Sequence, residues 1–92
     1  MAILVSFTIP TMNVENYTTG VNALEAAGSG SPDGRLYHVA ALQEDGSFFI
    51  NDVWESQGKF DAFGKILMPI LIESGVEPVE PKIYTVHNTI SG

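Results

Sequence analysis

Leu36-Tyr-His-Val-Ala-Ala-Leu-Gln-Glu-Asp-Gly-Ser-Phe-Phe-Ile-Asn-Asp-Val-Trp-Glu55 holds two β-prone runs around a polar centre, Glu44-Asp-Gly-Ser47. Asp-Gly between such runs is a strong hairpin signal, because a type I′ turn needs two residues that tolerate positive φ. A two-residue Asp45-Gly46 turn sets Leu42 opposite Phe49 and Tyr37 opposite Trp54. One face then carries Tyr37, Val39, Ala41, Phe48, Ile50, Asp52 and Trp54. The other carries Leu36, His38, Ala40, Leu42, Phe49, Asn51, Val53 and Glu55. Both faces are largely apolar, whereas a sheet with one wet face alternates apolar with polar residues. Both faces are therefore expected to be covered.

Residues on either side complete the pattern. Ile3, Val5, Phe7 and Ile9 alternate with Leu4, Ser6 and Thr8, which predicts a first strand over residues 2–9 that Pro10 ends. Asn13 is a good N-cap, with Glu15 in the following turn, and Val14, Tyr17, Val21 and Leu24 recur at helical spacing. Gly28 is placed to take a left-handed cap. The stretch from Gly28 to Gly34 is a flexible connector; it follows a helix and so cannot form a phosphate cradle at a helix start. A second helix begins near Ser56, with Phe60, Phe63, Leu67, Ile70 and Leu71 on its inner stripe. Pro69 is expected to kink or split it, and Gly75 to close it. Lys82–Thr89 form the last strand. The order βαββαβ is the ferredoxin-like pattern of an α+β domain, with an antiparallel four-stranded sheet and two helices on one face. The second apolar face then calls for another copy of the chain, which predicts a homodimer.

Composition narrows the partners. The 92 residues suit one domain, and a lone domain of this size buries only about 60–65% of its unfolded surface. The net charge of −7, from eleven acids against four bases, excludes partners that need a basic face, namely nucleic acid and anionic membrane. No run approaches the ~18 apolar residues of a membrane span, and the start of the chain lacks the basic n-region of a signal peptide. A cytoplasmic protein is the expectation. With no cysteine and two histidines, neither a disulfide nor a closed zinc site is expected. No cofactor is required by any motif.

Asp52-Val-Trp-Glu-Ser56, followed by Phe60 and Phe63, is similar to the strand-three-to-helix-two junction of the antibiotic-biosynthesis-monooxygenase-like family. Tyr37-His-Val-Ala40 and Val86-His-Asn88 resemble small members of that family without established activity. The likeness covers most of the chain in element order and, in motif, residues 36–63 and 84–90. It implies one dimeric α/β-barrel domain over residues 1–92, with a pocket between sheet and helices in each subunit. The family's activities include cofactor-free oxygenation of polycyclic aromatics, haem degradation and small isomerase or lyase reactions, so fold alone does not choose. Quinone-forming members carry an asparagine where this chain has Ile50 and a tyrosine where it has Phe60. Haem-degrading members carry a ligand histidine where it has Gly64. Only Trp54 matches.

Parity and resemblance together mark the expected site. Trp54, Tyr37, Ile50, Phe7 and Phe63 are expected to wall a pocket for a small hydrophobic or aromatic molecule. Asp52 shares that face and is the candidate general base, because a carboxylate held among apolar groups tends to gain a raised pKa. The expected dimer face is Leu4, Leu36, His38, Leu42, Phe49, Val53 and His87. His38 and His87 lie on opposite sheet edges and could approach one another only across the dimer. Ser6, Thr8 and Ser56 have no acid-histidine partners at readable spacing, so no nucleophilic triad is read. Two functions follow. One is a monooxygenase-like enzyme, cofactor-independent, acting on a small hydrophobic or aromatic molecule. The alternative is a non-catalytic dimeric binding or assembly module whose core is filled by its own side chains.

Overall fold

The computed structural model describes Met1–Gly92. Its elements run β1 (Ile3–Ile9), α1 (Val14–Ala26), β2 (Arg35–Leu42), β3 (Phe48–Trp54), α2 (Gln57–Glu73) and β4 (Lys82–Thr85). All strand pairs are antiparallel, in the order β2-β3-β1-β4. This is the ferredoxin-like βαββαβ arrangement expected from the sequence, with the two helices on one side of the sheet. The central strands alternate as their sequences require. Ile3, Val5 and Ile9 of β1 are buried, as are Phe48, Ile50, Asp52 and Trp54 of β3. Val5 pairs with Asp52 and Phe7 with Ile50.

The helices start where their caps lie. The Asn13 side chain accepts from the backbone N–H of Asn16, and Asn16 returns the bond to the Asn13 N–H. Ser56 caps α2 through the Lys59 N–H. Pro69 does not split α2, which runs as one helix through it. The residues on both sides of the proline explain this: Phe60, Phe63 and Leu67 before it, and Ile70 and Leu71 after it, all pack on the sheet-side core. That packing outweighs one missing backbone bond.

The hairpin departs from the expected register. Its loop has three residues, Glu44-Asp45-Gly46, not two. Gln43 N–H donates to the Ser47 carbonyl, Gly46 N–H donates to the Gln43 carbonyl, and Gly46 alone takes positive φ, at 85°. A type I′ turn would place Asp45 in that region too. The observed form is a tight turn followed by a left-handed glycine. Asp45 locks it by accepting from the Ser47 hydroxyl and the Ser47 N–H, which hold its carboxyl below the ordinary range. Leu42 therefore faces Phe48, Ala40 faces Ile50 and His38 faces Asp52. A one-residue slip exchanges the two faces of a strand, so each β2 residue from Tyr37 to Leu42 lies on the side opposite to expectation. A bulge between Arg35 and Tyr37 then brings Arg35 opposite Trp54.

β4 is shorter than the predicted Lys82–Thr89. Thr85 already faces Ile3, the first residue of β1, and one further bond runs from Val86 N–H to the Ala2 carbonyl. The ladder has no partner beyond that point. The following residues bring Ser91 to the Tyr37 hydroxyl, at 2.8 Å.

The core lies between the sheet and the helices in two clusters. Ile3, Val5, Leu24, Trp54 and Phe63 form one, and Ile9, Met12, Phe48, Ile50 and Val76 the other. Only 13 of 92 residues are buried, so a single copy is thinly cored. The outer face of the sheet carries Leu4, Tyr37, Val39, Phe49, Val53 and Tyr84, and no helix lies over it. Val39 is 59% exposed there. No helix is long and apolar enough to cross a membrane.

Candidate functional site

A cavity of about 570 Å³ opens between the sheet and the helices, between the two core clusters. Phe7, Ile9 and Ile50 form its sheet wall, Val21 and Leu24 come from α1, and Phe60, Phe63, Leu67 and Leu71 from α2. These residues reach it because they are the inward positions of alternating strands and the inner stripes of two amphipathic helices. The exposed lining residues Asp61, Lys65, Glu77 and Glu80 mark its mouth.

One part of the wall is polar. Tyr17, Arg35, His38 and Asp52 meet there from α1, β2 and β3. Asp52 Oδ1 lies 2.6 Å from His38 Nδ1, and His38 Nε2 lies 2.7 Å from the Tyr17 hydroxyl. The Asp52 side chain is 7% exposed and that of His38 28%. An ionised carboxylate only accepts, so His38 Nδ1 carries the proton it donates to Asp52. When the ring is neutral, its Nε2 accepts from the Tyr17 O–H. The tyrosine ring is held flat: it stacks on Phe48 at 4.7 Å and lies nearly parallel to the His38 ring at 6.2 Å. Burial raises the pKa of the Tyr17 hydroxyl. The positive charge of Arg35 opposes that shift, and the negative charge of Asp52 adds to it. The result is a line of three hydrogen-bonding groups reaching from a buried carboxylate to the cavity wall.

The sequence-predicted residues divide as follows. Phe7, Ile50, Asp52 and Phe63 line the cavity. Trp54 does not: it is fully buried beneath Phe60 and Phe63, with ring centroids at 5.7 and 5.3 Å. Its indole N–H has no partner, a cost of about 1–3 kcal/mol for a buried donor. Tyr37 also leaves the pocket, since the three-residue loop turns it to the outer face. The same slip removes His38 and Leu42 from the expected dimer face and turns them to the helix side, opposite Asp52 and Phe48. Leu4, Phe49 and Val53 lie on the outer face, and Leu36 is the half-exposed residue at the bulge. His87 is exposed and lies beyond β4. His38 is thus turned away from any His87 of a second copy docked on the outer face. No three His, Cys, Asp or Glu side chains converge to hold a metal ion.

Sequence reasoning missed Tyr17, which reads as one more member of an apolar helix stripe, and Arg35, which reads as a scattered base. It also missed His38 as the partner of Asp52. The signal for that pair was Glu44, which makes a three-residue loop as compatible with Asp45-Gly46 as a two-residue one.

No protein-family model and no curated protein sequence matches the chain. Solved structures do. SnoaB from Streptomyces nogalater, a cofactor-independent oxygenase, is 19% identical; the match covers 99% of this chain and 96% of that one, with a TM-score of 0.63. A candidate antibiotic biosynthesis monooxygenase from Deinococcus radiodurans is 17% identical over 99% and 97% of the two chains, with a TM-score of 0.61. Rv0793 from Mycobacterium tuberculosis is 14% identical over 98% and 97%, with a TM-score of 0.63. Two independent lines therefore agree, the element order read from the sequence and full-length superposition on known structures: the fold of this chain is that of the antibiotic biosynthesis monooxygenase-like proteins.

Proposed function

We propose that this chain binds a small, flat, hydrophobic or aromatic molecule in the helix–sheet cavity and oxygenates it without a cofactor, as a homodimer. The observation that carries this reading is an apolar cavity of about 570 Å³ with one polar patch, Tyr17–His38–Asp52, on its wall. Ligand sites have this character: mostly apolar walls and a few convergent polar groups. Cofactor-free oxygenation asks a protein to remove a proton, leaving an anion rich enough in electrons to pass them to dioxygen. A ring methylene then becomes a carbonyl, and the second oxygen atom leaves as water. A hydrogen-bonded histidine–carboxylate pair is suited to the first step. The cofactor-independent oxygenase among the fold's known structures supports the same chemistry by analogy.

The homodimer is supported by the outer face of the sheet. Six apolar side chains there, each contributing roughly 1.5–3 kcal/mol if fully buried, have no helix over them. None of the chain's eleven acids lies among the outward residues of the four strands. A second copy of the same negative chain can approach that face without bringing acid against acid.

The test is a titration with a panel of flat phenols and quinones. It follows Trp54 emission, which senses the cavity through Phe60 and Phe63, and oxygen uptake in the same samples. Quenching with uptake for some members is expected. No quenching and no uptake across the panel would leave the non-catalytic assembly module as the better reading.

A further inference from the structure

Both ring nitrogens of His38 are occupied. Asp52 holds Nδ1 at 2.6 Å, and the Tyr17 hydroxyl holds Nε2 at 2.7 Å. A molecule in the cavity therefore meets no free lone pair on the histidine. Of the two acceptors left on the cavity lining, Asp52 is the more deeply buried; Tyr17, with His38 neutral, gives its single proton to Nε2 and keeps its own lone pairs for an incoming donor. From this we infer that Tyr17 is the group that takes the proton from the ligand, relaying its own to His38, and that the ligand enters as a neutral aromatic alcohol. This rests on the reading above that the cavity holds an aromatic molecule.

The transfer balances without a further reactant. The ligand O–H bond breaks and a new O–H bond forms on Tyr17. The former Tyr17 O–H bond breaks and an N–H bond forms on His38 Nε2. The ligand is left as its phenolate and His38 as an imidazolium against the Asp52 carboxylate. Charge supports a neutral ligand over an anion. Before the step the patch holds Asp52 negative and Arg35 positive, which sum to zero. Afterwards the imidazolium and the phenolate add one charge of each sign, and the sum is unchanged. A ligand already ionised outside would bring an uncompensated negative charge into an apolar cavity, which is costly. Burial makes a free Tyr17 phenolate unfavourable, so its proton must move to His38 as the ligand proton arrives. The stack of Tyr17 on Phe48 holds the hydroxyl in place for both bonds.

The experiment compares 4-nitrophenol, whose absorption distinguishes phenol from phenolate, with 4-nitroanisole, which has no proton to give. Both are titrated into wild type, Tyr17→Phe and His38→Gln at about pH 6.5, where free 4-nitrophenol is mostly neutral and an ordinary imidazole keeps a neutral fraction. Circular dichroism confirms that the variants fold. In wild type, 4-nitrophenol should bind with a phenolate spectrum and roughly tenfold tighter than 4-nitroanisole, the gain of one charge-assisted hydrogen bond. Both variants should still bind both probes and lose the phenolate band. Binding of both probes to wild type with 4-nitrophenol still neutral would overturn the relay and leave the aromatic cavity standing. A phenolate band retained in Tyr17→Phe would overturn the role of Tyr17 and pass it to the His38–Asp52 pair. Failure of both probes to bind would overturn the relay together with the cavity reading, and failure of 4-nitrophenol alone would overturn the relay.

Discussion

Asp52 faces Val5 on one neighbouring strand and His38 on the other, and its residue is only 5% exposed. A carboxylate among such neighbours is tolerable only with a good donor, and His38 Nδ1 is that donor. Tyr17 closes the line at the cavity wall and makes it testable by pH. Its pKa is raised above the ordinary 10.0, chiefly by burial. The folded protein thus holds that proton more tightly than the unfolded chain does. The stability linked to Tyr17 is complete below about pH 10 and is lost as pH rises through the folded pKa. Tyr17→Phe has no such proton. The urea midpoint of wild type should therefore fall more steeply than that of Tyr17→Phe as pH is raised from about 9 to about 11. Parallel curves would mean that the Tyr17 hydroxyl is not buried as described. Trp54 gives a different lesson at this scale. Its place on the inward face of β3 was legible from parity. Its depth beneath Phe60 and Phe63 was not, because depth depends on how α2 lies across the sheet.

At the scale of elements, the caps, the alternation of β1 and β3, and the inner stripe of α2 were all readable, because each rests on a period or a local bond within a few residues. β2 was the exception. Its two faces, Val39 with Ala41 and Ala40 with Leu42, are almost equally apolar, so hydrophobicity could not choose its register. The choice fell to the turn, and Glu44-Asp45-Gly46 supports two loop lengths. What decides between them is a side-chain bond: Asp45 accepts from both the N–H and the hydroxyl of Ser47, which draws Ser47 into the turn. Gly46 then takes a φ of 85°. A side chain in that region costs roughly 1–2 kcal/mol, and a Cβ there would meet no neighbour within 4 Å. Gly46→Ala should therefore lower stability by about that amount in chemical denaturation, through backbone strain alone. A neutral substitution would speak for a loop without the left-handed glycine. The candidate site depends on this turn, because one residue of slip separates His38 from Asp52.

For the whole molecule, the sheet has two distinct uses. Its helix side carries the cavity and the Tyr17–His38–Asp52 line. Its other side carries Leu4, Tyr37, Val39, Phe49, Val53 and Tyr84 without an acid among them. That both faces are apolar was legible in the sequence, and the exchange of β2 faces leaves the conclusion intact because either face of that strand is apolar. Burying several such side chains against a second copy would thicken a core that holds only 13 of 92 residues in one copy. Phe49→Lys puts a charge in the middle of that face and lies opposite Thr8, away from the cavity. Sedimentation velocity at micromolar concentration tests the two-sided sheet most directly. Wild type should sediment as a dimer and Phe49→Lys as a folded monomer, whereas a wild type that sediments as a single copy would contradict it.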